Sequence, residues 1–224
     1  MTKIRTAAAL ILTGFLFAAG GLFAQNHAAN PAEFAVANAG GLSVPRPVDS
    51  GSIPVFKITP GESKIKFDVE ASVSIVGTFE KWDASLTFTS TDITTGVLDL
   101  KIQADSVDTG SGMKNGKLKG KDFFNVKQNP VITFKSTKIE QTGPETFAVD
   151  GDFTIRGVTR HEKLNLTVSG RGTGSGTIAG TMAFDRKEYG MNSGIPFIKI
   201  ADRVEVSVNL KAERISGPPV ALKQ

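Results

Sequence analysis

The fold is decided by the stretch Val107–Ser136, which reads VDTGSGMKNGKLKGKDFFNVKQNPVITFKS. Alternating apolar and polar residues lead into it, and a second alternating pattern starts at Ile132. The lysine-rich connection between them contains Phe123 and Phe124, two adjacent aromatic residues in polar surroundings. Because large aromatic side chains gain stability when they leave water, we expect the pair either to plug the end of a β-structure or to line an apolar cavity.

Strand patterns with a period of two fill most of the remaining chain. The alternating apolar segments are Ile65 to Val69, Phe79 to Phe88, Leu98 to Ala104, Ile132 to Phe134, Phe147 to Val149, Phe153 to Ile155, Leu164 to Val168, Ile178 to Phe184 and Val204 to Leu210. An irregular step near Lys81 predicts a bulge, and Asp150-Gly151 predicts a hairpin turn. About eight strands, each with one apolar face, must bury those faces together in an antiparallel sandwich or barrel.

A single short helix is expected, within Met113–Phe124. If the strands close into an eight-stranded barrel, its interior is just wide enough for side chains or for one small ligand. Seven inward-facing phenylalanines would either fill this interior or line a cavity, and the sequence leaves both options open; they are Phe67, Phe79, Phe88, Phe134, Phe147, Phe153 and Phe184.

The N-terminal residues have the pattern of a secretory signal peptide. Lys3 and Arg5 precede an apolar run of about 14 residues, which is short for a membrane span that needs roughly 20. We expect cleavage after Ala24 and a periplasmic or secreted mature protein. The expected organisation is therefore a signal peptide at 1–24, a disordered linker at 25–52, the folded domain at 53–214 and a C-terminal tail at 215–224.

Composition excludes several functional classes. The chain has no cysteine, so disulfides and thiolate chemistry are excluded. Removal of residues 1–24 lowers the formal charge from +4 to +2, which gives no support for nucleic-acid binding. The folded domain has one histidine, His161, which predicts a surface turn residue rather than a metal ligand. No metal and no cofactor are expected.

Two local motifs invite functional interpretation. Asp108-Thr109-Gly110 matches the catalytic turn of aspartic proteases, but that chemistry needs two carboxylates; a dimer would have to supply the second, and the alternative is a turn in which Asp108 binds its own backbone. The connection also carries several lysines, which predict either a solvated face or contact with an anionic membrane surface; they are Lys114, Lys117, Lys119, Lys121 and Lys127.

Several stretches together resemble the YceI-like polyisoprenoid-binding family. In chain order they are Ile75–Phe79, Ser106–Gly110, Leu118–Phe124, Pro130–Ser136, Gly151–Thr159, and Arg186 with Tyr189-Gly190-Met191. Their order and spacing hold from about Val55 to Arg214. One departure is Arg160-His161-Glu162, which replaces the basic residue and proline that commonly follow the Gly-Val-Thr turn in that family.

The resemblance implies a lipocalin-like, eight-stranded antiparallel barrel that is exported to the periplasm and holds a long isoprenoid or similar lipid chain. The resemblance implies no catalytic residues. The expected ligand-binding residues are Phe67, Phe79, Trp82, Phe88, Leu100, Phe123, Phe124, Phe134, Phe153, Met182 and Met191. Head-group candidates, chosen because they lie at strand ends, are Lys121, Asp122, Arg186, Tyr189 and Asn192; Arg186 is expected on the polar side of its strand.

Three functional hypotheses follow. The main one is a non-enzymatic periplasmic carrier of a polyisoprenoid, quinone-like or similar lipid. The second is an envelope interaction module with a filled barrel, which acts through Lys114, Lys117, Lys119 and Lys121 at a membrane surface. The third is an aspartic-type hydrolase that uses Asp108. The sequence leaves the oligomeric state open, and a homodimer is one option.

Overall fold

The computed structural model describes residues 52–72, 74–170, 173–194 and 197–222. The expected signal peptide, and the linker up to residue 51, lie outside the described residues. The strands are β1 (Val55–Ile58), β2 (Lys64–Ala71), β3 (Ile75–Phe79), β4 (Trp82–Thr87), β5 (Val97–Gln103), β6 (Val107–Asp108), β7 (Val131–Gln141), β8 (Thr146–Ile155), β9 (Val158–Ser169), β10 (Ser175–Asp185) and β11 (Ile200–Ser216). The described α-helix is α1 (Gly112–Lys119).

All strand pairs of the main sheet are antiparallel, and the sheet is strongly curled. Its hydrogen-bonded order is β4-β5-β7-β8-β9-β10-β11-β2-β3-β6, and β1 pairs with the end of β11 beyond β2. The predicted antiparallel barrel is confirmed. Eight of the described strands have six or more residues, and the short strands β1, β3 and β6 complete the sheet.

The two edges of the sheet meet without a continuous ladder of hydrogen bonds. At one place Glu80 and Lys81 join β3 directly to β4, although these strands belong to opposite edges. At another, β1 lies beside β4, and the rings of Phe56 and Phe88 are 5.7 Å apart between centroids. Chain connectivity and apolar packing therefore close the barrel where pairing stops.

The barrel has two ends with different covers. The helix end is formed by the connection from residue 109 to 130, the Arg156-Gly157 turn and the β10–β11 connection. The tail end is formed by the β4–β5 and β9–β10 connections and by residues 217–222, where Ala221 pairs with Asp92. Between them the inward residues alternate with exposed ones, as in the pattern of β2, where Ile65, Phe67 and Val69 are buried.

The predicted hairpin at Asp150-Gly151 is wrong, because β8 continues through both residues to Ile155. The turn comes five residues later, at Arg156 and Gly157, which both have positive φ. Gly151 is required for close packing instead: a Cβ atom there would lie 2.6 Å from the Phe134 ring and 2.7 Å from the Lys135 carbonyl oxygen. Glycine inside a strand often marks such an approach.

The expected bulge near Lys81 is a complete break between β3 and β4. Ser106 stabilises the break, since its carbonyl accepts a hydrogen bond from Glu80 N and its hydroxyl accepts one from Lys81 N. The predicted short helix is confirmed as α1. Ser111 caps it by accepting a hydrogen bond from Lys114 N, which is a preferred role for serine at a helix start.

We expect Gly151→Ala to lower the free energy of unfolding by about 1–3 kcal/mol, because the added methyl group overpacks the Phe134 contact. Chemical denaturation measures this loss. Gly116→Ala is the matched control: Gly116 lies within α1, and a methyl group added there would meet no atom within 4 Å, so alanine should stabilise the helix by up to about 1 kcal/mol. Equal stabilities for the two variants would contradict the packing role of Gly151.

Candidate ligand-binding site

The helix end of the barrel encloses an apolar cavity of about 70 Å³. Arg186 is the charged residue in its wall. The other lining residues are aliphatic or aromatic: Ile65, Phe67, Val69, Ile75, Phe79, Ile102, Leu118, Phe123, Phe124, Ile132, Phe153, Ile155, Phe184, Met191, Ile200, Val204 and Val206. At roughly 30 Å³ per water molecule in the liquid, the cavity has the volume of about two waters.

Two phenylalanine clusters lie against this cavity. The Phe124 ring lies 6.3 Å from the Phe67 ring and 5.9 Å from the Phe79 ring, measured between centroids. On the other side, Phe153 and Phe184 are 5.2 Å apart. Rings at these distances attract one another beyond their area burial. The adjacent phenylalanines of the connection thus lie inside the barrel rather than over its rim.

The structure brings together six of the eleven expected ligand-binding residues in the cavity wall: Phe67, Phe79, Phe123, Phe124, Phe153 and Met191. The others lie elsewhere. Leu100, Phe134 and Met182 are buried in the core away from this cavity, and Trp82 is half-buried against the core. Phe88 lies at the tail end.

Arg186 is buried, with 6% of its surface exposed, so its expected position on the polar side is wrong. The reason is alternation itself: Arg186 has the same parity as the buried residues Met182 and Phe184, and the 3₁₀ turn Arg186–Tyr189 begins at this inward position. Its guanidinium donates to the carbonyls of Met191, Ser193 (3.0 Å) and Ala201 (3.0 Å), and to Asp202 Oδ1 (3.1 Å). Arg186 therefore holds the β10–β11 connection against the barrel.

Arg156 is a structural residue of the site that sequence reasoning missed. Its guanidinium donates to the carbonyls of Lys121 (2.9 Å) and Gly190. It thereby ties the β8–β9 turn to the segment that carries Phe123 and Phe124 and to the β10–β11 connection. Arg156 and Gly157 both have positive φ, and the pair lies inside the Gly151–Thr159 stretch.

Tyr189 is fully buried and packs edge-on against Phe153 and Phe184. Its hydroxyl donates a 2.7 Å hydrogen bond to Glu162 Oε1. Burial, together with this acceptor, raises the pKa of the Tyr189 phenol, so the hydroxyl stays protonated and donates. Glu162 belongs to the Arg160-His161-Glu162 departure, and this contact gives that departure a structural role.

The other head-group candidates lie on the outer rim of the helix end. Asp122 accepts a 2.9 Å hydrogen bond from Lys117 Nζ, which holds the pKa of Asp122 below its usual value. Lys121 and Asn192 are exposed. None of these three lines the cavity. The rim is thus polar, while the wall beneath it is apolar.

Asp108 is the last residue of β6, and its side chain holds the turn that follows. Hydrogen bonds from Asn115 Nδ2 and Gly110 N, both 3.0 Å, lower the pKa of its carboxyl group. His161 lies on the surface as expected, but on β9 rather than in a turn, 3.3 Å from Asp152 Oδ1. Within the described ranges, no three acidic or histidine side chains are grouped to hold a metal ion, and no helix is long and apolar enough to cross a membrane.

A family model, the YceI-like domain, matches residues 56–212. The chain belongs to the YceI-like family. Two curated relatives are UPF0312 proteins: one from Photorhabdus laumondii is 34% identical over 98 residues, and one from Yersinia pestis is 33% identical over 98 residues. Each alignment covers 44% of this chain and 50% of the relative, so the chain spans about half the length of the curated relatives it matches.

Two solved structures share the fold. BcnA from Burkholderia cenocepacia superposes with a TM-score of 0.63 and 26% identity, over 69% of this chain and 99% of that protein. A polyisoprenoid-binding domain from Saccharophagus degradans superposes with a TM-score of 0.59 and 17% identity, over 72% of this chain and 99% of that domain. At 17% identity, the second likeness shows the fold alone.

We expect Arg186→Met to lower the free energy of unfolding by about 2–4 kcal/mol, because carbonyl groups of the β10–β11 connection lose a buried charged donor. Thermal and chemical denaturation measure the loss. Lys187→Met is the control, since Lys187 also pairs with Asp202 but its side chain is 51% exposed. A loss of the same size in both variants would assign the effect to Asp202 pairing rather than to the buried carbonyl contacts.

Proposed function

We propose that this YceI-like chain binds a long isoprenoid or related lipid chain inside its barrel and acts as a carrier in the bacterial periplasm, with no catalytic step. The observation that carries the proposal is the aromatic-lined, apolar cavity at the helix end, whose charged wall residue, Arg186, already has protein partners for its guanidinium. Such a wall offers contacts to an apolar chain and none that favour a polar ligand. The domain from Saccharophagus degradans that shares this fold binds polyisoprenoids, and the proposal extends that ligand class to this chain.

The small volume of the cavity sets a condition on this proposal. Ligand pockets commonly measure about 300–1,000 Å³, whereas this cavity measures about 70 Å³. A lipid chain therefore enters only if side chains move. Phe123 and Phe124 are suited to move, because their segment belongs to no strand and their backbone N–H groups bind locally, to the carbonyls of Gly120 and Leu118.

The energetics allow this displacement. Each methylene group that leaves water contributes about 0.8 kcal/mol, so a modest length of chain compensates for moving two rings within an apolar interior. Ordering the flexible chain takes back part of this gain. Selectivity for the tail is expected to be loose, since an apolar wall distinguishes one methylene by only about 1–3 kcal/mol.

We expect Phe124→Asp to abolish lipid uptake while the β-rich circular dichroism spectrum is retained, because a carboxylate in the chain path must be desolvated. The measurement is native mass spectrometry of the mature protein from its own periplasm, followed by solvent extraction; its mass also tests cleavage after Ala24. Phe124→Ala is the paired variant. It removes a ring from the path and should bind lipid at least as well as the parent chain.

The two variants also distinguish the carrier hypothesis from the hypothesis of an interaction module with a filled barrel. If the barrel interior is only a packed core, both substitutions lower the stability of the protein, and the amount of bound lipid is the same in both variants and in the parent chain. Normal lipid loading of the Phe124→Asp variant would show that Phe124 is not part of the binding site. The absence of a lipid adduct on the parent chain and on both variants, even with added isoprenoids, would contradict the carrier function.

We further propose that the helix end contacts anionic membrane surfaces. Two large apolar side chains stand out there: Met113 is 88% exposed and Phe197 is fully exposed. Each is close in sequence to a residue that contacts the β2–β3 connection: Lys114 Nζ donates to Ser74 O, and Ser72 N donates to Lys199 O. Exposed apolar residues beside lysines suit an interface of acyl chains and anionic head groups.

The four lysines proposed for this contact are not equivalent. Lys117 is paired with Asp122 and lies 5.9 Å from the Phe123 ring centroid, whereas Lys121 is exposed. We expect Met113→Ser combined with Lys121→Gln to reduce sedimentation with phosphatidylcholine vesicles that contain phosphatidylglycerol. Lys138→Gln, which removes an exposed lysine from β7 that pairs with Glu140, should bind as the parent does. Equal binding of all variants would exclude this surface.

A further inference from the structure

The tail end of the barrel contains a second apolar space that the proposed function does not use. It is an open cleft of about 580 Å³, which is within the volume range of small-molecule sites. Phe56, Phe147 and Ile178 of the strands line its walls together with Phe88, which follows β4. Residues of the C-terminal segment, including Val220 and Leu222, form part of its border. The cleft is therefore large enough for a chain without displacement of core side chains.

One charged side chain lies in this apolar lining. Arg214 occupies an inward-facing position of β11, with the same parity as the buried residues Leu210 and Ala212, and it pairs across the sheet with Phe56. It is half-buried and donates from Nη1 to the carbonyl oxygen of Gly217. Among the residues that the structure describes, no ion pair includes Arg214.

This situation differs from that of the arginine at the helix end. Three carbonyls and a carboxylate take four of the five N–H groups of Arg186, so its guanidinium cannot offer a ligand a parallel pair of free donors. Arg214 has one carbonyl partner, so Nε and Nη2 keep donor capacity toward the cleft. A guanidinium presents parallel N–H groups that match the two oxygens of a carboxylate or phosphate.

We propose that the tail-end cleft binds a single-chain amphiphile with an anionic head group. Arg214 binds the head-group oxygens, and the aromatic and aliphatic walls contact the chain. The shared chemistry is an anionic oxygen group on an apolar chain, which a carboxylate and a phosphate monoester both provide. This site is separate from the helix-end cavity and does not depend on the proposed isoprenoid carrier function.

Isothermal titration calorimetry of the full mature chain tests the ligand class, with each probe kept below its micelle-forming concentration. Sodium dodecanoate and dodecyl phosphate should each bind at one site per chain. Dodecanol should bind about tenfold more weakly or worse, since it lacks the charge-assisted hydrogen bonds. Inorganic phosphate should show no saturable binding, because it lacks the chain. Dodecanol binding as tight as dodecanoate binding, or tight binding of phosphate alone, would overturn the proposal.

Substitutions locate the site. Arg214→Gln should weaken dodecanoate binding about tenfold, and Val220→Asp should weaken it further, because a carboxylate at the border of the cleft competes for Arg214. Val220 lies outside the strands and outside the apolar core, so we expect the variant to fold. Arg203→Gln is the control for charge, since Arg203 is an exposed residue of the same strand that pairs with Glu205.

The Phe124→Asp variant distinguishes the two spaces. Retained dodecanoate binding in that variant, with loss in Arg214→Gln, supports the tail-end site whatever the isoprenoid measurements give. If Phe124→Asp loses dodecanoate binding while Arg214→Gln binds dodecanoate with unchanged affinity, the amphiphile binds at the helix end and the proposal is overturned.

Discussion

Every long strand of this chain has one apolar face, and one sheet can bury all of those faces only by curling upon itself. This constraint explains why the barrel holds together although β4 and β6 are the two ends of its hydrogen-bonded ladder. Apolar burial, rather than pairing, brings β1 beside β4. The same burial fixes the register of each strand, because a slip of one residue would turn its apolar side chains toward water.

The ends of the barrel are covered by connections, whose backbone carbonyl groups lack the ladder partners that carbonyls in the wall have. At the helix end, two arginines supply hydrogen-bond donors to these carbonyls. Arg156 and Arg186 supply donors to carbonyls of the 109–130 and β10–β11 connections, so these segments cover the aromatic interior with those acceptors paired. At the tail end, Arg214 has one such contact. The two ends therefore differ in how much donor capacity remains for a ligand.

The sequence predicted most of the strands that form the barrel wall, but few of the contacts that close the barrel at its ends. Alternation reveals the buried faces of β2 and β11 because side-chain period and burial are directly coupled, and a pair such as Phe123-Phe124 signals a dry environment by composition alone. The roles of Gly151 and the three arginines were not predictable in this way. Gly151 depends on a ring from the neighbouring strand β7, and the arginines bind carbonyls of connections, which no strand pattern encodes. Periodicity alone was compatible with either a sandwich or a barrel, and the resemblance to the YceI-like family favoured the barrel.

Between the two apolar spaces lies a tightly packed layer that includes Val149, Leu164 and Leu210, each 1% exposed or less. On β11 this layer separates Val204 and Val206 of the cavity wall from Ala212 of the cleft wall. Close-packed aliphatic residues yield space only at a cost in dispersion energy. A chain that entered at the helix end would thus displace Phe123 and Phe124 far more readily than it would cross this layer. The barrel therefore contains two apolar spaces separated by a packed layer, with Arg186 in the wall of one and Arg214 in the wall of the other.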